Sequence, residues 1–272
     1  NLVADDTNGF TDIFLYYRYT QQIKCISRNI EGKSANFKSN FPIISHDGHY
    51  VVFQSDASDL VANDTNQVRD IFIYDVTQGT IKLISVDNQG IQGNGASSFP
   101  VVSADGHYIA FHSDATNLVA DDTKTYTDIF LHDRITNETT RISVSSKGTQ
   151  ANNSSYGATI SGDGRYIAYA SDARNLVTKD TNGKTDVFIY DRENATTQRV
   201  SVDETGVEAN NASYEPALSL DGQWLAFVSW ATNLVLDDND TNQVEDVFLR
   251  NLTTGAITRI SINEQNQEGN NA

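Results

Sequence analysis

Apolar residues recur along this chain in short runs bounded by Asp, Asn, Ser, Thr and Gly, without the three-to-four spacing of an amphipathic helix. In the run Tyr108–Ser113, Ile109 and Phe111 point to one side and Tyr108 and Ala110 to the other. Apolar residues on both faces predict a strand covered on both sides. The pair Asp105-Gly106 precedes this run, and Asp-Gly between apolar runs signals a hairpin, which places a first strand over 99–103. A long polar connection, NLVADDTKTYT, then leads to a third strand at Asp128–Asp133, and a turn around Asn137 leads to a fourth over 140–144.

This four-strand pattern repeats. Segments starting at Ser45 (SHDGHYVVFQSDASDLVANDTN), Ser103, Ser161 and Ser219 are related at sight and start 58 residues apart, and only the last carries a two-residue insertion, around Asp238 and Asn239. The opening NLVADDTNGFTDIFLYY matches the middle of the unit. The resulting frame is a partial unit over 1–44 followed by units 45–102, 103–160, 161–218 and 219–272, taken together as one domain. Four antiparallel strands per unit, buried on both faces, are what a blade sandwiched between neighbours requires. The expectation is an all-β protein: a β-propeller of four-stranded antiparallel blades, four full blades plus an N-terminal half-blade, as a five-bladed ring or as part of a larger propeller. An open β-solenoid is the alternative, but its units are usually shorter.

The pattern S-x-D-G-x-Y-I-A-F-x-S-D-A-x-N-L-V, then D-T-N-x-x-x-D-I-F, then R-I-S, resembles the WD40-like (PD40) repeats of TolB-like propellers over essentially the whole chain. The resemblance implies a bacterial periplasmic or secreted setting and a role as a protein-binding scaffold or as a non-catalytic domain beside a peptidase. It carries over no binding residue, because the matching positions are those that build blades. The 58-residue unit is also longer than the ~40–50 of common propeller repeats.

Charge then narrows the partners. With 19 basic and 36 acidic residues the net charge is −17, and there is no basic run to displace counterions from a phosphate backbone, which argues against nucleic acid. No apolar stretch approaches the ~20 residues of a spanning helix, so no membrane insertion by a helix is expected. The 26 asparagines favour turns and caps, and a single Cys excludes an intrachain disulfide framework. The chain starts on Asn1 with neither an initiator Met nor a signal-like apolar region, which reads as a processed or truncated chain.

The most repeated polar constellation is D-x-N-x-x-x-D in the long loop: Asp6, Asn8 and Asp12; Asp64, Asn66 and Asp70; Asp122 and Asp128, with Lys124 in place of the Asn; Asp180, Asn182 and Asp186; Asp240, Asn242 and Asp246. Alternating carboxylate and amide oxygens suit Ca²⁺. The competing and preferred reading is an Asx-turn whose last Asp starts the third strand, because the bidentate Glu of an EF-hand is missing and Lys124 puts a cation at a ligand position. Asn36, Asn94, Asn152, Asn210 and Asn270 recur in the loop between successive units, read either as a polar rim or, preferably, as residues tolerant of left-handed turns.

Residues that break the repeat are the better candidates for a specific site. Trp230 stands where Asp56, Asp114 and Asp172 recur. Tyr156 and Tyr214 replace Asn40 and Ser98, Gly157 and Glu215 replace Phe41 and Phe99, and Tyr126 and Phe10 occupy the tip of the long loop. Tyr126, Tyr156, Tyr214, Glu215 and Trp230 form the candidate ligand rim, with rings to stack on a sugar or anchor a peptide and ordinary surface drift as the bland alternative. No catalytic set emerges. Cys25 fills a strand position, His49 and His107 share a turn position with Arg165 and Gln223, His46, His112 and His132 lack metal spacing, and Glu215 is a lone acid where glycosidases need two.

Five units of this period would need 292 residues, about 20 more than the chain holds and roughly one hairpin. That leaves a fragment of a longer propeller, a gapped five-blade ring, or completion by a neighbouring chain. The leading functional expectation is a non-enzymatic secreted or periplasmic propeller that binds protein or glycan, with stabilisation by calcium in its loops as an option. A self-assembling subunit pairing with copies of itself comes second, and an acidic-residue glycosidase third.

Overall fold

The structure, a computed structural model, describes residues 2–235, 244–265 and 267–269. The described residues form eighteen strands and no helix. Strands β1 (Phe14–Tyr17) and β2 (Gln22–Cys25) make a two-stranded antiparallel sheet at the third and fourth positions of the repeat. Four four-stranded sheets follow, each a meander. The first contains β3 (Ser39–Ile44), β4 (Tyr50–Ser55), β5 (Asp70–Asp75) and β6 (Thr80–Leu83). The second contains β7 (Ser97–Val102), β8 (Tyr108–Ser113), β9 (Asp128–Asp133) and β10 (Glu138–Arg141). The third holds β11 (Ser155–Ile160), β12 (Tyr166–Ser171), β13 (Asp186–Asp191) and β14 (Thr196–Arg199), and the fourth β15 (Ser213–Leu218), β16 (Trp224–Ser229), β17 (Asp246–Asn251) and β18 (Ile257–Arg259). The expected blades and the half-blade are therefore present.

Contacts divide the chain into two compact units, one of Asn1–Thr125 with Phe130–Thr140 and the other of Tyr126–Ile129 with Arg141–Ala272. In the first, Phe53 stands opposite Phe72 in the β4–β5 register, with ring centroids 5.9 Å apart, among Val51, Ile13 and Ile26. In the second, Tyr169 faces Phe188 at 6.0 Å and Phe227 faces Phe248 at 5.8 Å. These cross-strand aromatic pairs add about 0.5–1.5 kcal/mol each beyond their burial.

The outer and inner strands depart from the simple pattern. The fourth strand ends at Arg141, not 144, and its counterpart in the last unit ends at Arg259. The apolar run continues, but its serine turns inward: Ser143 donates to Asp128, and Val144 then bridges to Gln150. The first strand spans Ser97–Val102 and starts two residues earlier than expected, with a bulge between Ser98 and Val101. Phe99 sits at that bulge with φ 52°, as do Phe41 at 53°, Gly157 at 64° and Glu215 at 51° in the other sheets. The buried hydroxyls of Ser97 and Ser113, 2.9 Å apart, explain the extra residues: they satisfy each other across the β7–β8 pair.

Candidate functional site

The long loop is polar in composition but anchored by apolar residues. Ala57 and Leu60, Ala115 and Leu118, Ala173 and Leu176, and Ala231 and Leu234 are all buried. The Ser preceding each Ala aids this by accepting the Ala N–H, as Ser55 does for Ala57 at 3.1 Å. The loop is thereby held in the apolar layer between its own sheet and the preceding one, as Leu60 is among Ile13, Ile26 and Phe53, and the recurring Asp and Asn side chains are fixed.

Within that frame the D-x-N-x-x-x-D residues are brought together in pairs. Asn66 accepts the N–H of Val68 at 3.0 Å, an Asx-turn, and its amide donates to Asp70 Oδ2 at 2.8 Å and to the carbonyl of Gly93. Asn8 and Asp12, and Asn182 and Asp186, repeat the arrangement. The other oxygen of the last Asp takes the serine hydroxyl from the end of the fourth strand, in all five copies. These bonds follow the Asx-turn reading. The first Asp differs. Asp64 accepts from Gln92 on Oδ1, while its Oδ2 is buried without a hydrogen-bond partner, and both oxygens of Asp180 are likewise buried without one. Burial raises Asp64 above the usual carboxylate range and pushes Asp70 and Asp180 up to about 6. Asp122 Oδ1 accepts the N–H of Lys124 at 3.3 Å. Among the described residues no three Asp, Glu, His or Cys side chains gather as a metal-binding group. Asp240 and Asn242 lie outside the described residues.

The recurring inter-unit asparagines have a different role from the one expected. Asn36, Asn94, Asn152 and Asn210 are not at positive φ. Instead Asn94 accepts the N–H of Thr116 at 2.8 Å while its own N–H donates to Asn117 Oδ1 at 2.8 Å. Asn152 with Asn175 and Asn210 with Asn233 do the same. This reciprocal clamp ties the inter-unit loop to the long loop, and it needs a short side chain whose oxygen accepts a backbone N–H, as Asp59 also does for Asn36. Asn270 lies outside the described residues.

Of the repeat-breaking residues, three converge. Trp230 Nε1 donates to the hydroxyl of Tyr214 at 2.8 Å, and that hydroxyl donates to Glu245 in a short hydrogen bond. Burial, followed by the bond to Glu245, pushes the Tyr214 phenol up to about 12, so it stays a neutral donor. Trp230 is 38% exposed, which leaves ring surface to solvent. Glu215, adjacent to Tyr214, is exposed at the strained bulge. In the preceding blade the same positions hold Tyr156, Asp172 and Thr185, with Thr185 donating to Asp172 at 2.6 Å and the Tyr156 hydroxyl 3.4 Å from both. Tyr126 is exposed on its loop and makes none of these contacts. Glu245 was missed from the sequence, although a signal existed: the residue before the third strand is Arg69, Thr127 and Thr185 elsewhere and an acid only here.

The remaining titratable groups take up structural contacts. His107 Nε2 lies 2.8 Å from Asp133, as Arg165 pairs with Asp191 one unit later, so the turn position shared by His107 and Arg165 holds the end of the third strand. His132 is buried against Thr139, and burial lowers its pKa to about 4. Cys25 is buried, its thiol pushed up by that burial.

No protein-family model matches the sequence, and no curated protein matches it. Solved structures do match. TolB from Acinetobacter baumannii is 18% identical with a TM-score of 0.51, over 94% of this chain and 50% of that one. The β-propeller domain of the Trilobed protease from Pyrococcus furiosus, described as having an open velcro topology, is 12% identical with a TM-score of 0.56, over 92% and 63%. An oligogalacturonate lyase from Vibrio parahaemolyticus is 15% identical with a TM-score of 0.54, over 94% and 60%. The fold is a β-propeller. That is the fold the repeat predicted, and the chain spans about half the length of the TolB it matches. Because the same scaffold carries a lyase and a protease among these neighbours, the fold alone does not separate binding from catalysis.

Proposed function

We propose that the chain is a non-enzymatic binding module whose ligand site is the Tyr214–Trp230–Glu245 cluster, and that the ligand is a glycan. The observation that carries this reading is the hydrogen-bonded chain from Trp230 through Tyr214 to Glu245, with Trp230 partly open to solvent. An indole face supplies stacking area for the apolar face of a sugar ring, and the adjacent carboxylate accepts from its hydroxyls. Trp230 and Glu245 are specific to one blade, and the Tyr at this position is shared only with Tyr156, whereas blade-building residues recur throughout. A secreted or periplasmic setting accompanies this reading and rests on the repeat's resemblance to TolB-like propellers.

Screening against a glycan array, followed by calorimetric titration, tests it. Trp230→Ala and Glu245→Gln are expected to weaken binding at least tenfold, and Trp224→Phe to leave it intact. Unchanged affinity in both site variants sinks the assignment. Capture of peptides in place of glycans would redirect it to a protein ligand, and turnover of a bound polysaccharide would replace binding with catalysis.

A second reading rests on β1, which pairs with β2 alone among the described strands. An open strand edge accepts a partner strand, whether from flanking sequence or from another copy. Mass in solution as a function of concentration separates the two sources.

A further inference from the structure

The acidic loop is built the same way in successive blades, yet the charge facing it is not. In the third unit of the repeat frame, Arg141 Nη1 lies 3.7 Å from Asp128 Oδ2. In the fourth, Arg199 Nη1 lies 3.1 Å from Asp186, 2.8 Å from Glu208 and 3.6 Å from Asp180. In the fifth, Arg259 Nη1 lies 3.0 Å from both Asp246 and Glu268. The guanidinium thus enters from the fourth strand each time. Arg199 is registered opposite Phe188, and Arg259 opposite Phe248.

The second loop keeps the acids but lacks the cation. Its fourth-strand position, registered opposite Phe72 in the same way, is Leu83. Asp70 is fully buried and Asp64 is 8% exposed. Both receive only neutral donors: Gln92 Nε2 at 2.8 Å from Asp64 Oδ1 and 3.1 Å from Asp70 Oδ2, Asn66 on Asp70, and Ser85 on Asp70. Asp64 Oδ2 has no hydrogen-bond partner and no solvent. Two buried carboxylates facing amides leave two uncompensated charges, an arrangement that carries a large desolvation cost unless a counter-charge is present. The first loop is not equivalent, because Asp6 is partly exposed and Ser34 stands where Gln92 does.

We propose that the second loop binds one divalent cation of the calcium class between Asp64 and Asp70, in the place an arginine side chain takes in the later blades. The donors are hard carboxylate oxygens, with no thiolate or imidazole, which suits Ca²⁺ rather than Zn²⁺, while the Asn66 and Gln92 amides turn N–H groups to the carboxylates and their oxygens to the N–H groups of Val68 and Thr65. Two carboxylates balance its charge. With water completing the sphere, the affinity belongs to the weak class, Kd of about 0.1–1 mM. This site is independent of the glycan site, since none of its residues is shared with Tyr214, Trp230 or Glu245.

The test compares thermal unfolding of the chain in 10 mM CaCl₂, and in NaCl of equal ionic strength with EDTA. Calcium is expected to raise the wild-type Tm by about 3–8 °C. Leu83→Arg supplies the guanidinium in cis and is expected to abolish the calcium response while keeping a Tm in EDTA at or above the wild type. Asp64→Asn is nearly isosteric and guards against a failure of the arginine variant to fold; it too is expected to lose the response. Equilibrium dialysis with radioactive calcium should show one fewer ion per chain in either variant. An unresponsive wild type, or a full response in Asp64→Asn, overturns the proposal.

Discussion

Ser201 Oγ donates to Asp186 Oδ1 at 2.6 Å and accepts the N–H of Val187 at 3.1 Å. One hydroxyl thus joins the end of the fourth strand to the start of the third, and it buries the carboxylate with a partner. The same triple of Asp, Ser and the N–H after the Asp occurs at Asp12, Asp70, Asp128 and Asp246.

Replacing Ser201 by Ala removes both bonds and leaves a buried carboxylate oxygen and a buried N–H unmatched. The expected loss is about 2–4 kcal/mol, since each unmatched group costs about 1–3. Urea unfolding of Ser201→Ala, read as a lower midpoint at constant slope, checks it.

Asp180 is pushed up to about 6, first by burial and then by the nearby charge of Asp186. A folded-state pKa above the unfolded value near 3.9 means that the native protein holds the proton longer. Its contribution is therefore fully present below about pH 4 and is lost as pH rises through about 6. Asp180→Asn lacks this titration, so the variant should gain stability relative to wild type between pH 4 and 6. Paired melts across that range in EDTA and constant salt decide it: a difference that stays flat with pH contradicts the shift.

Two Asp-Gly turns separate backbone strain from steric approach. At Gly48, φ is +74° and a Cβ would meet nothing within 4 Å, whereas at Gly106, φ is +71° and a Cβ would lie 2.2 Å from the Tyr50 ring. Gly48→Ala is expected to cost about 1 kcal/mol from the left-handed conformation alone. Gly106→Ala should cost about 2–3 kcal/mol more, because Tyr50 must move. Equal losses in denaturant titration would remove the packing argument.

The blade architecture was legible in the sequence because strand burial on both faces and Asp-Gly turns are local signals, repeated often enough to fix their phase. The ends of the fourth strands were not, because Ser143 looks like a strand residue in a run of apolar neighbours and becomes a hydrogen-bond latch only once Asp128 is beside it. The asparagine clamps failed for a similar reason: the partner of Asn94 is Asn117, a residue 23 positions away that composition cannot pair with it. Comparing copies within the chain did locate Tyr214 and Trp230. Glu245 does not stand out in the same way, because the residue before the third strand already varies between copies, as Arg69, Thr127 and Thr185.

The links described here close over short chain distances: 15 residues from Asp186 to Ser201, 23 from Asn210 to Asn233, and 59 from Leu218 to Thr159. Under a pulling force applied to the two ends, ties of this length among the described residues share load only between neighbouring units. Rupture should then advance one 58-residue unit at a time, each release adding about 20 nm of contour at ~3.5 Å per residue. The same locality means that gain or loss of a whole unit during duplication disturbs only its immediate neighbours, so the length of the array is free to drift while each blade stays intact.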